Sequence, residues 1–415
     1  MRILHTSDWH LGHTLRDWDR ADEHAAFLAW LLDTLEAEQV DALLIAGDIF
    51  DTANPSAAAQ EAWYEFLVAA RRRCSGLDIV VIGGNHDSAA RLDAPNPLLR
   101  AVGVSLVGGL TRGTDGTVDP ARAVVPIRAR NGDVGFVAAV PFLRPPDLPL
   151  LDSAVGDVLI EGVRAVYRDI LHRVRARASD AKHAPLIAMG HLYMATGEVS
   201  ELSERRILGG NQHALPVDIF PGDIGYVALG HLHRAQRIGG LDRVRYSGSP
   251  IPLSMAEAGY AHQVAIVDMK GEGLEDVRAV LVPRRVPMMR IPATGSALLV
   301  DVVRAIRELP ALEATALAYQ PFLEISVRVE KPEPSLQQQI QDALKDRGVR
   351  LVRLSRVLSG NASPLADVAR GRTLDELSPE QVFVERHRRE HSAPPSAELV
   401  TAFGELLAHV HSVST

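Results

Sequence analysis

A single cysteine, Cys74, stands among 415 residues, which excludes a disulfide framework and thiolate metal clusters and fits a reducing cytosol. Any metal bound here must therefore take His, Asp, Asn or Glu. No apolar run approaches the ~20 residues that span a bilayer. The strand-like pattern at 2–6 leads straight into polar residues, so neither a membrane anchor nor a signal peptide is expected. Basic excess is lacking too. The net charge is -8 and the pI about 6.1, the wrong sign for a protein that holds nucleic acid alone through a broad basic surface. Repeats and low-complexity segments are absent. What remains is an ordinary globular composition, 47% hydrophobic and 23% charged. The expectation is a cytoplasmic protein, long enough for several domains at ~100 to 200 residues each.

Five short apolar runs each end in a polar cluster. They lie at 3–4, 42–46, 79–82, 186–189 and 227–229, and they read as buried strands. Helical patterns at 23–35 and 57–70 separate the first three, so the fold class is α/β. Open α/β sheets place their sites at the carboxyl ends of central strands, so the clusters are expected to converge. A further strand and turn at 244–250 closes the edge of that site. After Pro283 the texture changes: strand-like runs at 289–291, 324–329 and 349–354 alternate with helical stretches at 297–309 and 336–345, the pattern of a small second α/β domain. Residues 359–373 are rich in turn formers and read as a linker. Beyond it, Ser378, Pro379 and Gln381 have the spacing of a capping box. Pro394-Pro395-Ser396 opens another helix, whose Leu399, Phe403, Leu406, Leu407 and Val410 share one face.

The polar clusters carry the chemistry. In order they are Asp-x-His at Asp8 and His10, Gly-Asp-x-x-Asp at Gly47, Asp48 and Asp51, and Gly-Asn-His-Asp from Gly84 through Asn85 and His86 to Asp87. Gly-His at His191 and Gly-His-x-His at His231 and His233 complete the set. A lone Asp-x-His means little. Five such clusters mix carboxylate and amide oxygens with imidazole nitrogens, a donor set suited to Mn, Fe, Zn or Mg as divalent ions. Two such ions ~3.5 to 4 Å apart lower the pKa of a shared water and stabilise both the attacking and the leaving oxygen at phosphorus. A bridging carboxylate must hold them that close, and the central Asp48 is the candidate.

These clusters resemble those of the calcineurin-like metallophosphoesterase superfamily. More narrowly, the opening Met-Arg-Ile-Leu-His-Thr-Ser-Asp-Trp-His-Leu-Gly resembles the SbcD family of bacterial nuclease subunits. So do Ala-Leu-Gly-His-Leu-His-Arg-Ala-Gln, Val-Arg-Tyr-Ser-Gly-Ser-Pro-Ile-Pro-Leu-Ser and the Thr-Leu-Asp-Glu-Leu-Ser at 373–378. The likeness spans nearly the whole chain.

The resemblance implies a sandwich of mixed sheets flanked by helices over 1–283, a small α/β capping domain at 284–358, the linker at 359–373, and a helical partner-binding tail at 374–415. Carried over residue by residue, it implies that Asp8, His10 and His233 hold one metal and Asn85, His191 and His231 the other, with Asp48 bridging. His86 matches the family's catalytic histidine, which is not a ligand but protonates the leaving oxygen or stabilises the transition state. Asp51 matches a position that orients that histidine in several relatives and varies in the nuclease branch. Further implications are Mn2+, with Mg2+ as the alternative, exonuclease action on double-stranded DNA ends and endonuclease action on hairpins. The chain would work as a homodimer within a heterotetramer, with an SbcC-like coiled-coil ATPase. Thr52-Ala53 follows Asp51 where phosphoserine phosphatases of the superfamily carry Arg-Gly, and Asp87 replaces their Glu. Both departures lean toward a nuclease.

Blander roles compete with each reading. Asp8 and Asp48 could cap helices, but imidazoles are poor caps, so capping leaves the histidines unexplained. His5, His13, His24, His172, His183, His213, His262, His387, His391, His409 and His411 are assigned ordinary surface or satisfied core roles. Arg347, Arg350, Arg353 and Arg356, at intervals of three, read as a solvated face with DNA contact as the alternative. The stripe of Leu399, Phe403 and Leu407 either packs on its own domain or docks in a partner's groove. A phosphoesterase of small nucleotides and a metal-free scaffold on the same fold are the competing functions.

Overall fold

The computed structural model describes residues 1–112, 118–149, 157–181, 183–198, 214–312, 316–330 and 333–358, and residues 383, 386–388, 395, 396, 399 and 403 of the tail. Two six-stranded sheets dominate. The first runs Gly273–Leu281, Gln263–Lys270, Arg2–Thr6, Ala42–Ala46, Asp78–Ile82, Val104–Val107, and its last four strands are parallel. The second runs Gln236–Ile238, Leu241–Tyr246, Tyr226–Gly230, Leu186–His191, Val134–Ala139, Val124–Arg128, with a parallel centre.

The five apolar runs are the central strands of these sheets, and their near-continuous hydrophobicity has a simple cause. Both faces of each strand are covered. In the first sheet Ile3, Ala42, Leu44, Val80 and Ile82 meet Val137, Ile187, Met189 and Ala228 of the second sheet in one core. Alternating with them, Leu4, Leu43, Ile45, Ile79 and Val81 pack under the helices Ala21–Ala37 and Ala57–Arg73. The second sheet buries its outer face under Val163, Val166, Tyr167, Ile170, Leu171 and Val174 of the helix Val158–Ala178. That helix starts where the Asp157 carboxylate accepts from the Leu159 and Ile160 amides.

The result is the sandwich of mixed sheets flanked by helices. His5 ties its two sheets together, Nδ1 to the Tyr226 hydroxyl at 3.0 Å and Nε2 to the Leu229 carbonyl at 3.1 Å. Burial pushes its pKa down to about 3, so it is a neutral core histidine. His24, against the Trp9 carbonyl at 3.1 Å, is another.

After Pro283 a separate four-stranded sheet forms. Met288–Ile291 and Ala297–Leu298 both pair in parallel with Phe322–Val329, and Arg350–Leu358 pairs with the same strand. The helices Leu299–Arg307 and Leu336–Leu344 bury Val302, Ile306, Leu336 and Ile340. The arginine series at intervals of three is not one solvated face. Arg350 is buried, stacked 3.9 Å from the centre of the Phe322 ring and donating to the Gln320 and Ala318 carbonyls. Arg347 donates to the Leu309 carbonyl and Arg353 pairs with Glu324. Among the described residues no helix is long and apolar enough to cross a membrane.

In the tail, the Ser396 hydroxyl and carbonyl both accept from the Leu399 amide, as a helix start requires, and the Phe383 and Phe403 rings stack at 4.2 Å. The linker at 359–373, the capping box at 378–381 and Leu406, Leu407 and Val410 lie outside the described residues.

Candidate metal centre

Five of the parallel strands, Arg2–Thr6, Ala42–Ala46, Asp78–Ile82, Leu186–His191 and Tyr226–Gly230, carry part of one buried cluster at their carboxyl ends. The loops after Arg2–Thr6 and Ala42–Ala46 are zipped together by backbone: the Asp8 amide donates to the Gly47 carbonyl, that of His10 to Asp48 and that of Leu11 to Ile49, at 2.8 to 3.0 Å. Such pairing holds side chains in backbone conformations that L residues rarely adopt. Asp8, His10, Asp48 and His231 have φ of +54°, +47°, +49° and +107°. Strain of this kind persists where the surrounding structure over-determines it and gathers at functional sites. Gly47 and Gly84 are required by close approach, since a Cβ on the first would strike the His191 ring and on the second the Asp48 carboxylate.

Asp48 is fully buried and sits at the middle. Its Oδ1 accepts from the His86 amide at 2.8 Å, and its Oδ2 lies 3.3 Å from His191 Nε2 and 3.6 Å from His10 Nε2. Burial pushes the Asp48 carboxyl up, but the charges of His191, His10 and His86 and the hydrogen bond from His191 outweigh it and hold it well below the usual range. On one side of Asp48, ligand atoms of Asp8, His10 and His233 lie within 4.8 Å of one another. On the other, Asn85 Oδ1 lies 2.8 Å from His191 Nε2 and 3.2 Å from His231 Nδ1. Ligand atoms of Asp8, Asp48 and His191 also lie within 4.8 Å of one another, so the cluster is continuous around Asp48.

The donor set fits divalent metal. His10 Nε2 is buried with no hydrogen-bond partner among the described residues, and an orphaned imidazole nitrogen beside two buried carboxylates is what a ligand looks like. The neighbouring histidines His191 and His231 are driven apart in charge, since burial and then the charge of His191 lower the pKa of His231 to about 3. Burial lowers the pKa of His191, but the charge of Asp48, its hydrogen bond and the charge of Asp8 reverse this and raise it to about 9. Its Nδ1 donates to the Ala46 carbonyl at 2.9 Å, leaving Nε2 for the centre.

His86 and Asp51 take up a relation that sequence could not specify. His86 Nδ1 lies 2.7 Å from the backbone carbonyl of Asp51, whereas the Asp51 carboxylate lies 3.2 Å from His10 Nδ1. His10, Asp48 and His86 also approach within 4.8 Å of one another, so geometry alone leaves His86 within reach of a ligand role. All nine candidate residues fall in this one cluster of contacts.

Two residues of the centre carry no local sequence signal for their roles. Glu257, fully buried, sets its Oε1 2.9 Å from His233 Nδ1 and accepts from the Leu253 amide at 2.7 Å through Oε2. A carboxylate behind a ligand histidine fixes its tautomer and orientation. Asp87, notable in the sequence only for not being Glu, accepts from the amides of Gly84, Ile49 and Phe50 and so fastens the third loop to the second. Burial, then the charge of Asp48, raises its pKa to about 6.

Residues 1–235 match the calcineurin-like phosphoesterase family, and residues 284–391 match the family described as the type 5 capsule protein repressor C-terminal domain, SbcD_C. The SbcD component of the SbcCD nuclease of Rhodobacter capsulatus is 45% identical over 385 residues, 92% of this chain and 93% of that one. This chain belongs to the SbcD family of calcineurin-like phosphoesterases. The Escherichia coli K12 protein of the same name is 34% identical over 393 residues, 93% of this chain and 92% of its own. That of Bacillus subtilis is 40% identical over 274 residues, 65% of this chain and 66% of its own. As an SbcD-family member the chain is a hydrolase, a metal-dependent phosphodiesterase of the nuclease class that uses divalent metal.

Proposed function

We propose that this chain is the nuclease component of a DNA-processing complex, hydrolysing phosphodiester bonds at double-strand ends and in hairpins. Asp8, His10 and His233 would hold one divalent ion and Asn85, His191 and His231 a second, with Asp48 shared between them and Mn2+ the favoured metal. The observation that carries the reading is Asp48 Oδ2, placed between imidazoles of the two sets at 3.3 and 3.6 Å. Two ions so held activate water and neutralise charge at phosphorus. His86, held at Nδ1 by the Asp51 carbonyl, gives a proton from Nε2 to the leaving 3' oxygen. Asp51 steadies His10 through its carboxylate.

A partner supplies the grip on DNA that a net charge of -8 does not. Each relative is named as one component of SbcCD, and an SbcC-like coiled-coil ATPase is the fitting partner in the cytoplasm. The chain works as a homodimer within a heterotetramer, as the likeness to the SbcCD relatives suggests. The capping domain at 284–358 and the tail at 374–415 complete the organisation.

The deciding experiment is cleavage of an end-labelled DNA duplex with Mn2+ and the ATPase. Turnover of a nucleotide diester with the duplex left intact would move the function to small substrates. The tail is the docking arm: it leaves Leu399 43% exposed. Truncation after Gly371 will leave small-diester hydrolysis intact and abolish co-purification with the ATPase. Undiminished co-purification by a folded truncated chain returns the tail's apolar stripe to packing on its own domain.

A further inference from the structure

Glu257 belongs to a short turn, Met255–Gly259, that follows the strand and loop closing the site. A single 3-10 turn has little stability of its own. Yet Glu257 must stay in place, because its carboxylate lies 2.9 Å from Nδ1 of His233 and is wholly buried. The Leu253 amide and the His262 ring meet Glu257 from the same stretch of chain, and further support comes from beyond Pro283.

Two arginines of that region grip it from its two ends. Arg290 Nη2 donates to the Met255 carbonyl at 2.5 Å, and Arg284 Nη1 donates to the Ala258 carbonyl at 2.6 Å. Arg290 is itself fixed by Glu324 at 2.9 Å. Below them the Met255 side chain is buried in a cluster with Leu15, Val286 and Phe322. Phe322 is fully buried between two guanidinium groups, Arg350 at 3.9 Å and Arg20 at 5.5 Å from its ring centre. Arg20 in turn donates to the Pro252 carbonyl, one residue before the Leu253 amide that donates to Glu257. Polar and apolar contacts from the later region thus converge on one short span around a carboxylate.

We infer that the region after Pro283 is a structural part of the metal centre, with Arg290 and Arg284 as positioning residues that act on His233 through Glu257. The inference rests on the proposed ligand role of His233. It gives the sheet beyond Pro283 a task at the chemistry beyond any contact with substrate: whatever moves that sheet moves the Glu257 carboxylate and changes the affinity of one metal position.

The test is Mn2+ titration of the full chain, followed by calorimetry and by the electron-spin signal of bound Mn2+, with no substrate present. Glu257→Gln should weaken one of the two positions by about 10- to 100-fold, the range for an outer-shell partner of a ligand histidine. Arg290→Ala should weaken the same position by about 2- to 30-fold. The double variant E257Q/R290A should be no weaker than E257Q alone, because Arg290 acts through Glu257. A general loss of structure would instead multiply the two losses and weaken both positions, and that result overturns the proposal. Should R290A fail to fold, R284A releases the other end of the turn and carries the same expectation. If E257Q weakens one position and neither arginine variant does, the clamp is wrong and the metal assignment stands. If E257Q leaves both affinities unchanged, the ligand role of His233 falls and the clamp with it.

Discussion

Replacing His86 with alanine will lower hydrolysis by about 10²- to 10⁴-fold, the usual contribution of a positioned proton donor, and will leave both metals bound. The retention of metal follows from which atoms His86 uses. Its amide, not its ring, donates to Asp48 Oδ1 at 2.8 Å, and an alanine keeps that amide. The ring makes its own contacts, Nδ1 to the Asp51 carbonyl at 2.7 Å and an edge-on approach to His10 at 4.7 Å between centres. Removing the ring therefore leaves the hydrogen bond from the backbone amide to Asp48 in place. Metal content by elemental analysis, set beside turnover of a nucleotide diester, separates the two roles. Loss of metal in parallel with activity would make His86 a ligand, the role its proximity to His10 and Asp48 leaves open.

What was legible in the sequence follows the physics of buried strands. A parallel strand covered on both faces must be apolar throughout, and sites in such sheets gather at the carboxyl ends of strands, so each of the five runs advertises both itself and the polar cluster after it. The strand Gly273–Leu281 sits at a sheet edge with one face partly exposed, and its mixed polar and apolar residues carry no such signature. The helix Val158–Ala178 has a signal that the strand pattern does not capture, apolar residues at 163, 166, 167, 170, 171 and 174.

Site residues divide in the same way. Ligand candidates announce themselves as polar residues at strand ends, and Asp48, Asn85, His191 and His231 each stand directly behind a glycine. Glu257 lies 24 positions from the histidine it supports, in a turn without periodicity, and nothing local marks it. Asp51 shows a different limit, because a sequence names the residue but not whether its carboxylate or its backbone carbonyl meets His86. Arg350 shows a third. An arginine reads as surface charge until a ring such as Phe322 and two carbonyls offer it a buried place.

The largest effect is expected at Asp48. Asp48→Ala will lose both metals and bring hydrolysis down to background, a deeper loss than the about 10- to 100-fold in affinity that follows removal of an outer-shell partner. In the proposed assignment every other ligand belongs to one set. Asp48 faces His10 and His191 together, with its Oδ2 3.6 Å and 3.3 Å from their Nε2 atoms. Its charge also governs its neighbours: it raises His191 to about 9 and contributes to holding Asp87 near 6, so the alanine variant removes the negative centre around which the other ionisable groups are arranged. Asp48→Asn separates charge from shape, since the amide oxygen still accepts from the His86 amide while the negative charge is gone. It should fold as the parent does and bind metal more weakly at both positions. Metal analysis under saturating Mn2+ reads the outcome directly. A parent that never exceeds one ion per chain ends the two-metal mechanism, and an Asp48→Ala protein that keeps one ion tightly assigns Asp48 to a single position and leaves the bridge to be found elsewhere.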